Sequence, residues 1–385
     1  MAEWFKATVS NTVWAKALQG SNPCLSAVCY CYMDNINKHI QQCIRDGLGW
    51  KDATVKTVEQ IKGGYLSNAY IATVENEGKI TKVFVKEQNE NTWGAERLSD
   101  PYATYFTSDL AAQENELSPK VLGTFASFDN HVTSLRHIID GNFFQIQECV
   151  NGNNLYELCG PIVANEIQNR EIELGEKVAE IFANIHSHKH PIEKGTKFDE
   201  YSRSLRDVIA HPELTLNIFQ NFLQKSAVLK GDFRYAYLAE MIKVAEHFSQ
   251  FTERNSLIHG DAWHANILVN NSDLYLIDFS RLVHGEPGID IGHFYVVCLQ
   301  LALTQKDDYH VRMAQAFLSK YIEITKDEFI KESMVTYIGF TGAVSVVEDF
   351  YPKVSNEDRQ KLISYVYKCM QNKKIIEIKT WKEIQ

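Results

Sequence analysis

The sequence predicts an α+β fold in two parts, a small β-rich N-terminal part and a larger, mostly helical C-terminal part. Three observations predict it. Before residue 150, β-branched residues alternate or cluster in short runs bounded by glycines. Beyond it, apolar residues recur at helical spacing. One polar stretch, "LIHGDAWHANILV" (257–269), interrupts the helical part and runs directly into an apolar strand.

Taken in order, "DNINKHIQQCIRDGLGW" (34–50) is an amphipathic helix. Ile36, Ile40 and Ile44 recur every four residues, Asp34 can cap it and Gly47 can stop it. Three antiparallel strands follow: "TVKTVEQI" (54–61), "AYIATVEN" (69–76) and "ITKVFVKE" (80–87). Gly63-Gly64 separates the first pair and Glu77-Gly78 turns the second. Residues 102–117 read as a helix after Pro101, and "KVLGTFASF" and "FFQIQECV" as two further strands. This gives a five-stranded sheet with one helix, an N-terminal domain over 33–150, and a hinge at "VNGNN". The C-terminal domain, 151–385, opens with "REIELGEKVAEIFANIHSH", whose apolar residues form one helical stripe. Further helices are expected over 200–252 and from about 289 onward.

A chain of 385 residues suits two such domains, and 45% hydrophobic with 23% charged residues suits a globular core. The net charge of −10 argues against general nucleic-acid binding. The longest apolar stretch, Ile291 to Leu303, is interrupted by His293 and Gln300 and is too short to span a bilayer, so it reads as a buried helix. The eight cysteines show no zinc-type spacing and suit a reducing cytosol. The expectation is a cytoplasmic monomer or homodimer without nucleic-acid or membrane partners.

Residues 1–32 carry neither a signal-peptide core nor a helical period. The segment resembles the peptide obtained when a transfer-RNA gene is read as protein, which would place the natural start at Met33. The competing reading is a packed N-terminal extension.

The chemistry concentrates in "HGDAWHANILVNNSDLYLIDFS" (259–280). Ile267 to Asn270 and Leu274 to Ile277 read as two strands joined by a three-residue turn, Asn271-Ser272-Asp273. In that register 268 faces 276 and 266 faces 278, so Asn266 and Asp278 meet at the open end of the hairpin, with Asp261 in the loop before it. An amide oxygen and two carboxylates suit Mg²⁺, which binds through one or two carboxylates plus substrate phosphates. Asp278 is the expected main metal ligand, Asn266 a second, and Asp261 the proton acceptor.

His259-Gly260-Asp261, then Asn266, then Asp278 has the spacing of the kinase catalytic loop and its metal-binding aspartate. With Gly260 at the second position, the chain resembles the aminoglycoside phosphotransferase and choline kinase family of small-molecule kinases. "GEPGIDIGHF" (285–294) adds to the resemblance, which covers about residues 55 to 300. It implies a protein-kinase-like bilobal fold and transfer of the γ-phosphate of ATP or GTP to a hydroxyl of a small acceptor, aminoglycoside- or choline-like. A methylthioribose- or ethanolamine-kinase-like metabolic enzyme is one alternative. A catalytically silent nucleotide-binding module is another. Only eleven residues separate Asp278 from Asp290, with no Ala-Pro-Glu element, which argues against a protein kinase.

The same resemblance assigns the nucleotide to Gly63, Gly64, Ser67 and Asn68 of a phosphate loop, to Lys86 on the third strand, and to the backbone of Gln147, Glu148, Cys149 and Val150. Glycine-rich turns let backbone N–H groups approach phosphate closely. Glu96, Asp109 and Glu114 are all candidates for the acidic partner of Lys86. His259 and Asp290 are expected to brace the catalytic loop, and His186 to pack in the core. Candidate acceptor-lining residues are His264, His293, Tyr295, Glu348 and Asp349, with Tyr201, Tyr235, Tyr237 and Tyr351 as further aromatic groups. An acidic, aromatic lining would suit a cationic acceptor.

Overall fold

A computed structural model describes residues 36–61, 68–88, 119–128, 131–134, 142–189, 226–248, 251–279, 282–348 and 351–385. The expectations for residues 1–32 and for a helix over 102–117 lie outside these residues. So do Glu96, Asp109, Glu114 and Tyr201. By their contacts the chain groups into two compact units, one ending at Val150 and the next resuming at Asn151.

In the first unit, helix α1 (36–42) runs on into a π-turn, Cys43–Gly47. Ile36, Ile40 and Ile44, the four-residue repeat, are all buried. They pack with Tyr70, Ala72, Val74, Val83, Val85, Phe144 and Ile146 in one core. Gln41 ties the helix to the sheet, donating to the Ala53 carbonyl at 2.9 Å and accepting the Val55 N–H at 2.7 Å.

The sheet is antiparallel. Its strands are β1 (Thr54–Ile61), β2 (Asn68–Asn76), β3 (Lys79–Gln88), β4 (Val121–Phe128), β5 (His131–Ser134) and β6 (Asn142–Glu148), in the order β1-β2-β3-β6-β4-β5. The five expected strands are present and β5 is a sixth. At four residues on the sheet edge, it is too short to show a period of two. Strand β6 lies between β3 and β4, so Lys86 stands opposite Ala69 on one side and Gln145 on the other.

The second unit begins with β7 (Asn153–Asn154) and a single helical turn, α2 (Leu155–Leu158), capped by the Asn154 side chain on the Glu157 N–H at 2.8 Å. Helix α3 (Glu171–Ser187) buries Leu174, Val178, Phe182 and Ile185 of the predicted apolar stripe, while Ile181 is half-buried and Ile172, in the first turn, is exposed. The part of 200–252 that is described holds α4 (Gly231–Phe248). Strand β8 (Ser256–Ile258) and the hairpin β9 (Ile267–Asn270) and β10 (Asp273–Leu276) come next, then β11 (Val283–Gly285). Helix α5 (Gly288–Gln305) is buried over nearly its whole circumference, as expected of the long apolar run. Around it lie α6 (Tyr309–Thr325), α7 (Ile330–Ser333), α8 (Val335–Ser345) and α9 (Asn356–Asn372). Among the described residues no helix is long and apolar enough to cross a membrane. The five described cysteines, Cys43, Cys149, Cys159, Cys298 and Cys369, are free thiols.

The hairpin register differs from the expected one. Asp273 pairs with Asn270 and Leu276 with Ile267, so the turn has two residues, Asn271-Ser272. Asn271 takes a left-handed conformation (φ 54°), which asparagine tolerates better than most residues. Asp273, read as part of the turn, is the first residue of β10. The whole second strand is shifted by one, and Asn266 faces Ile277, whose N–H donates to the Asn266 carbonyl at 2.9 Å.

Candidate active site

The loop 259–266 carries the acidic and amide groups, and a buried carboxylate on α5 fixes its shape. Asp290 is fully buried; one of its oxygens accepts the His259 N–H at 2.7 Å and the other the Gly260 N–H at 2.9 Å. Gly260 needs its glycine, since its φ is 78°. The Asp290 oxygen that serves His259 also meets His186 Nε2 at 3.1 Å, and His186 Nδ1 meets the Tyr321 hydroxyl at 2.8 Å. Burial pushes the Asp290 carboxyl up. The His186 bond and charge, with the His259 N–H, outweigh that and hold it below the ordinary aspartate value.

His259 is scaffold. Its Nε2 meets the Ile277 carbonyl at 3.0 Å and its Nδ1 accepts the Asp261 N–H at 3.2 Å. One protonated nitrogen and one acceptor nitrogen define the neutral Nε2–H tautomer. Its ring stands edge-on to Phe279, 4.7 Å between centroids.

Beyond Gly260 the chain turns sharply. The Asp261 carbonyl accepts the Trp263 N–H at 2.7 Å and the Asn266 side-chain amide at 2.9 Å. A 3₁₀ turn, His264–Asn266, delivers Asn266 to the start of β9. With its amide nitrogen held, Asn266 offers its carbonyl oxygen, the atom a hard cation takes. Asp278 is one residue beyond the partner of Asn266 and adopts φ 61°. A left-handed aspartate is uncommon, and such conformations concentrate where a side chain must be aimed. Among the described residues no cluster of three or more His, Cys, Asp or Glu side chains could cage a metal. An amide oxygen and one carboxylate are the donor chemistry that Mg²⁺ takes together with phosphate. The Asp261 carboxylate is a quarter exposed.

Of the candidate acceptor-lining residues, His293 lies at the site. Its Nδ1 is 3.9 Å from Asp261 Oδ1 and its side chain is 22% exposed. Three others require correction. His264 is completely buried, stacked on Phe294 at 4.3 Å, with Nε2 3.4 Å from Cys298 Sγ. Its burial, with the nearby His310 and His293, drives its basicity far down, and it cannot reach an acceptor. Tyr295 is buried with its hydroxyl 3.4 Å from that of Tyr365. Tyr237 is buried and donates to the Gly339 carbonyl at 2.6 Å. Polarity along a sequence does not reveal that α5 is buried over nearly its whole circumference, or that packing in the surrounding helical core removes these three side chains from solvent. Tyr235 and Glu348 are exposed and Tyr351 is half-buried. Asp349 lies outside the described residues.

In the first unit, Lys86 is 7% exposed. Next to it Glu87 is buried and accepts the Tyr70 hydroxyl at 2.8 Å and the Asn68 amide at 3.1 Å. Asn68, expected at the phosphates, thus has its amide engaged inside the sheet. Gln147 donates to Gln145 at 2.6 Å and is buried within the central strand. The Glu148 N–H is committed to the Lys120 carbonyl at 2.8 Å. The expectation that the backbone of Gln147 and Glu148 faces a nucleotide base is corrected to this extent: Gln147 lies in the ladder and the Glu148 N–H is taken. Cys149 and Val150 follow the strand end. Gly63, Gly64 and Ser67 lie outside the described residues.

The bond of His186 to Asp290 and the part of Tyr321 are not visible in the sequence. Separations of 104 and 135 residues leave no local signal.

The family model described as "Phosphotransferase enzyme family" matches residues 57–319, well over half of the chain. No curated protein matches. A thermostable mutant of aminoglycoside phosphotransferase APH(4)-Ia, in its apo form, superposes with a TM-score of 0.52 at 16% identity, covering 85% of this chain and 98% of that one. The amicoumacin kinase hAmiN, in complex with AMP-PNP, Ca²⁺ and Ami, gives 0.50 at 12% identity, covering 85% and 92%. At such identities the likeness establishes the fold, α+β and protein-kinase-like, as the sequence predicts. The match of family model to chain carries the rest: the protein belongs to the phosphotransferase enzyme family.

Proposed function

We propose that this phosphotransferase moves the γ-phosphoryl group of ATP, or GTP, to a hydroxyl of a small molecule. The observation that carries the proposal is Asp261. Its carboxylate is partly exposed at the end of a loop whose backbone is held by buried Asp290, as a proton acceptor should be. A folded module kept only for binding has no need of a carboxylate held this way.

In this reading Asp261 orients the acceptor hydroxyl and takes its proton as the oxygen bonds to phosphorus. Asn266 and Asp278 would hold Mg²⁺, which neutralises charge on the phosphates when bound. Lys86 would grip the α- and β-phosphates, together with the loop Gly63, Gly64 and Ser67. Cys149, Val150 and the Glu148 carbonyl would meet the base. Catalysis is then mainly positioning and charge neutralisation. Solved neighbours with ADP and hygromycin B, or with AMP-PNP and Ca²⁺, support a nucleotide and a divalent ion here. The aromatic half of the proposed acceptor lining is weakened by the burial of Tyr295 and Tyr237, so a cationic acceptor rests on acidic groups such as Glu348 and Asp349.

A thermal-shift screen with Mg-ATP and Mg-GTP against amino alcohols, sugars and aminoglycosides tests the proposal, followed by transfer of labelled phosphate to the hits. Stabilisation by one Mg-nucleotide and label on a small hydroxyl compound is expected. Label on protein alone would contradict it.

A further inference from the structure

We propose that His293 is a second acceptor-binding group, sharing the reacting hydroxyl oxygen with Asp261. The inference rests on the phosphotransferase reading above and adds a residue to it. His293 Nδ1 and Asp261 Oδ1 are 3.9 Å apart. That is too long for a hydrogen bond, which spans about 2.7–3.2 Å for N–H···O. It is the separation of two atoms that each sit about 2.8 Å from one oxygen, subtending an angle of about 90°. A hydroxyl there accepts the Nδ1–H of His293 and donates its own proton to Asp261.

The surroundings fix this spacing. His293 lies on α5, three residues after Asp290 and so on the same side of the helix. Asp290 holds the N–H groups of His259 and Gly260, the two residues before Asp261. One buried carboxylate therefore locks the helix bearing His293 to the loop bearing Asp261. The other histidines of the region cannot take this role. Both ring nitrogens of His259 are engaged, and His264 is buried. His293 and Asp261 both keep a face in solvent, 22% and 25% exposed.

In the transfer step, the hydroxyl oxygen bonds to the γ-phosphorus, the bond from that phosphorus to the departing ADP oxygen breaks, and the hydroxyl proton passes to Asp261. His293 keeps its own proton and holds the oxygen in line. Water fits the same place, and ATP plus water then gives ADP and phosphate. Water is therefore the probe that needs no knowledge of the acceptor.

The test is steady-state Mg-ATP hydrolysis by the full chain and by His293→Ala, His293→Asn, His293→Gln and Asp261→Asn, with Tm measured for each. Asparagine places an amide near the Nδ1 position, whereas glutamine places it nearer Nε2. We expect His293→Ala to lower kcat by about tenfold, the loss of one hydrogen bond, with KM for Mg-ATP unchanged and Tm kept. His293→Asn should return to within about threefold of wild type and His293→Gln should not. Wild-type kcat in His293→Ala overturns the proposal. So does a His293→Asn variant as slow as His293→Ala, because a simple ion pair with Asp261 would behave that way. Equal hydrolysis by wild type and Asp261→Asn overturns the phosphotransferase reading itself.

Discussion

The Asp290 carboxylate accepts the backbone N–H of Gly260 at 2.9 Å, so a helix residue thirty positions downstream sets the backbone immediately before Asp261. The second oxygen of Asp290 serves His259 and His186. Three donors thus converge on one buried anion. Replacing Asp290 with alanine strands all three, and removing one member of such a buried charged network costs about 3–5 kcal/mol. Urea unfolding should show this loss, and phosphoryl transfer should fall with it.

The same residue gives stability a dependence on acidity. Its folded-state pKa lies below the unfolded value of about 3.9. The unfolded chain therefore binds the proton first as pH falls. The stabilisation is complete above about pH 5 and is lost as pH drops through 4 and below. Tm measured from pH 6 to pH 3 should fall more steeply for wild type than for Asp290→Asn.

His264 acts in a higher window. Its folded-state pKa is far below the unfolded value of about 6.5, because burial disfavours the charged ring. Below pH 6.5 the unfolded chain takes up a proton that the folded chain refuses, so stability drops as pH falls, by about 1.4 kcal/mol per unit. Replacing His264 by phenylalanine, which can keep the stack on Phe294, should flatten Tm between pH 6.5 and 5. An unchanged slope would contradict a neutral, buried His264.

Gly175 lets α3 pack directly against the backbone of α6. A Cβ there would sit 2.5 Å from the Met313 carbonyl oxygen and 3.0 Å from the Phe317 nitrogen. Both obstacles are backbone and cannot rotate away. Gly175→Ala should destabilise by about 1–3 kcal/mol in denaturant unfolding, despite the better helix propensity of alanine.

Asp278 tests the metal assignment without disturbing the fold. Its φ of 61° suits asparagine as well as aspartate. Asp278→Asn should keep Tm within about 2 °C, a small change for a domain of this size, and lose Mg²⁺-dependent nucleotide binding by calorimetry.

Much of this was legible in the sequence because the signals were local. The strands before residue 150 announced themselves by alternation, α1 by its Ile36–Ile40–Ile44 repeat, and the candidate site by the spacing of Asp261, Asn266 and Asp278. What escaped depends on exact register or on long-range packing. A turn of two residues instead of three moves every partner in the hairpin by one, and only the left-handed Asn271 marks the difference. His264 and His293 are equally polar on the page. One is sealed against Phe294 and the other faces Asp261, because burial belongs to the assembled helices and not to the local string.

In the proposed reaction Asp261 accepts the proton of the hydroxyl that is phosphorylated. Comparing Asp261→Asn with wild type in Mg-ATP-dependent transfer to the acceptor hits measures it most directly. Turnover in the variant should be lower by roughly 10²–10⁴-fold, the range for loss of a positioned base, with nucleotide affinity retained. Wild-type turnover in Asp261→Asn would contradict it.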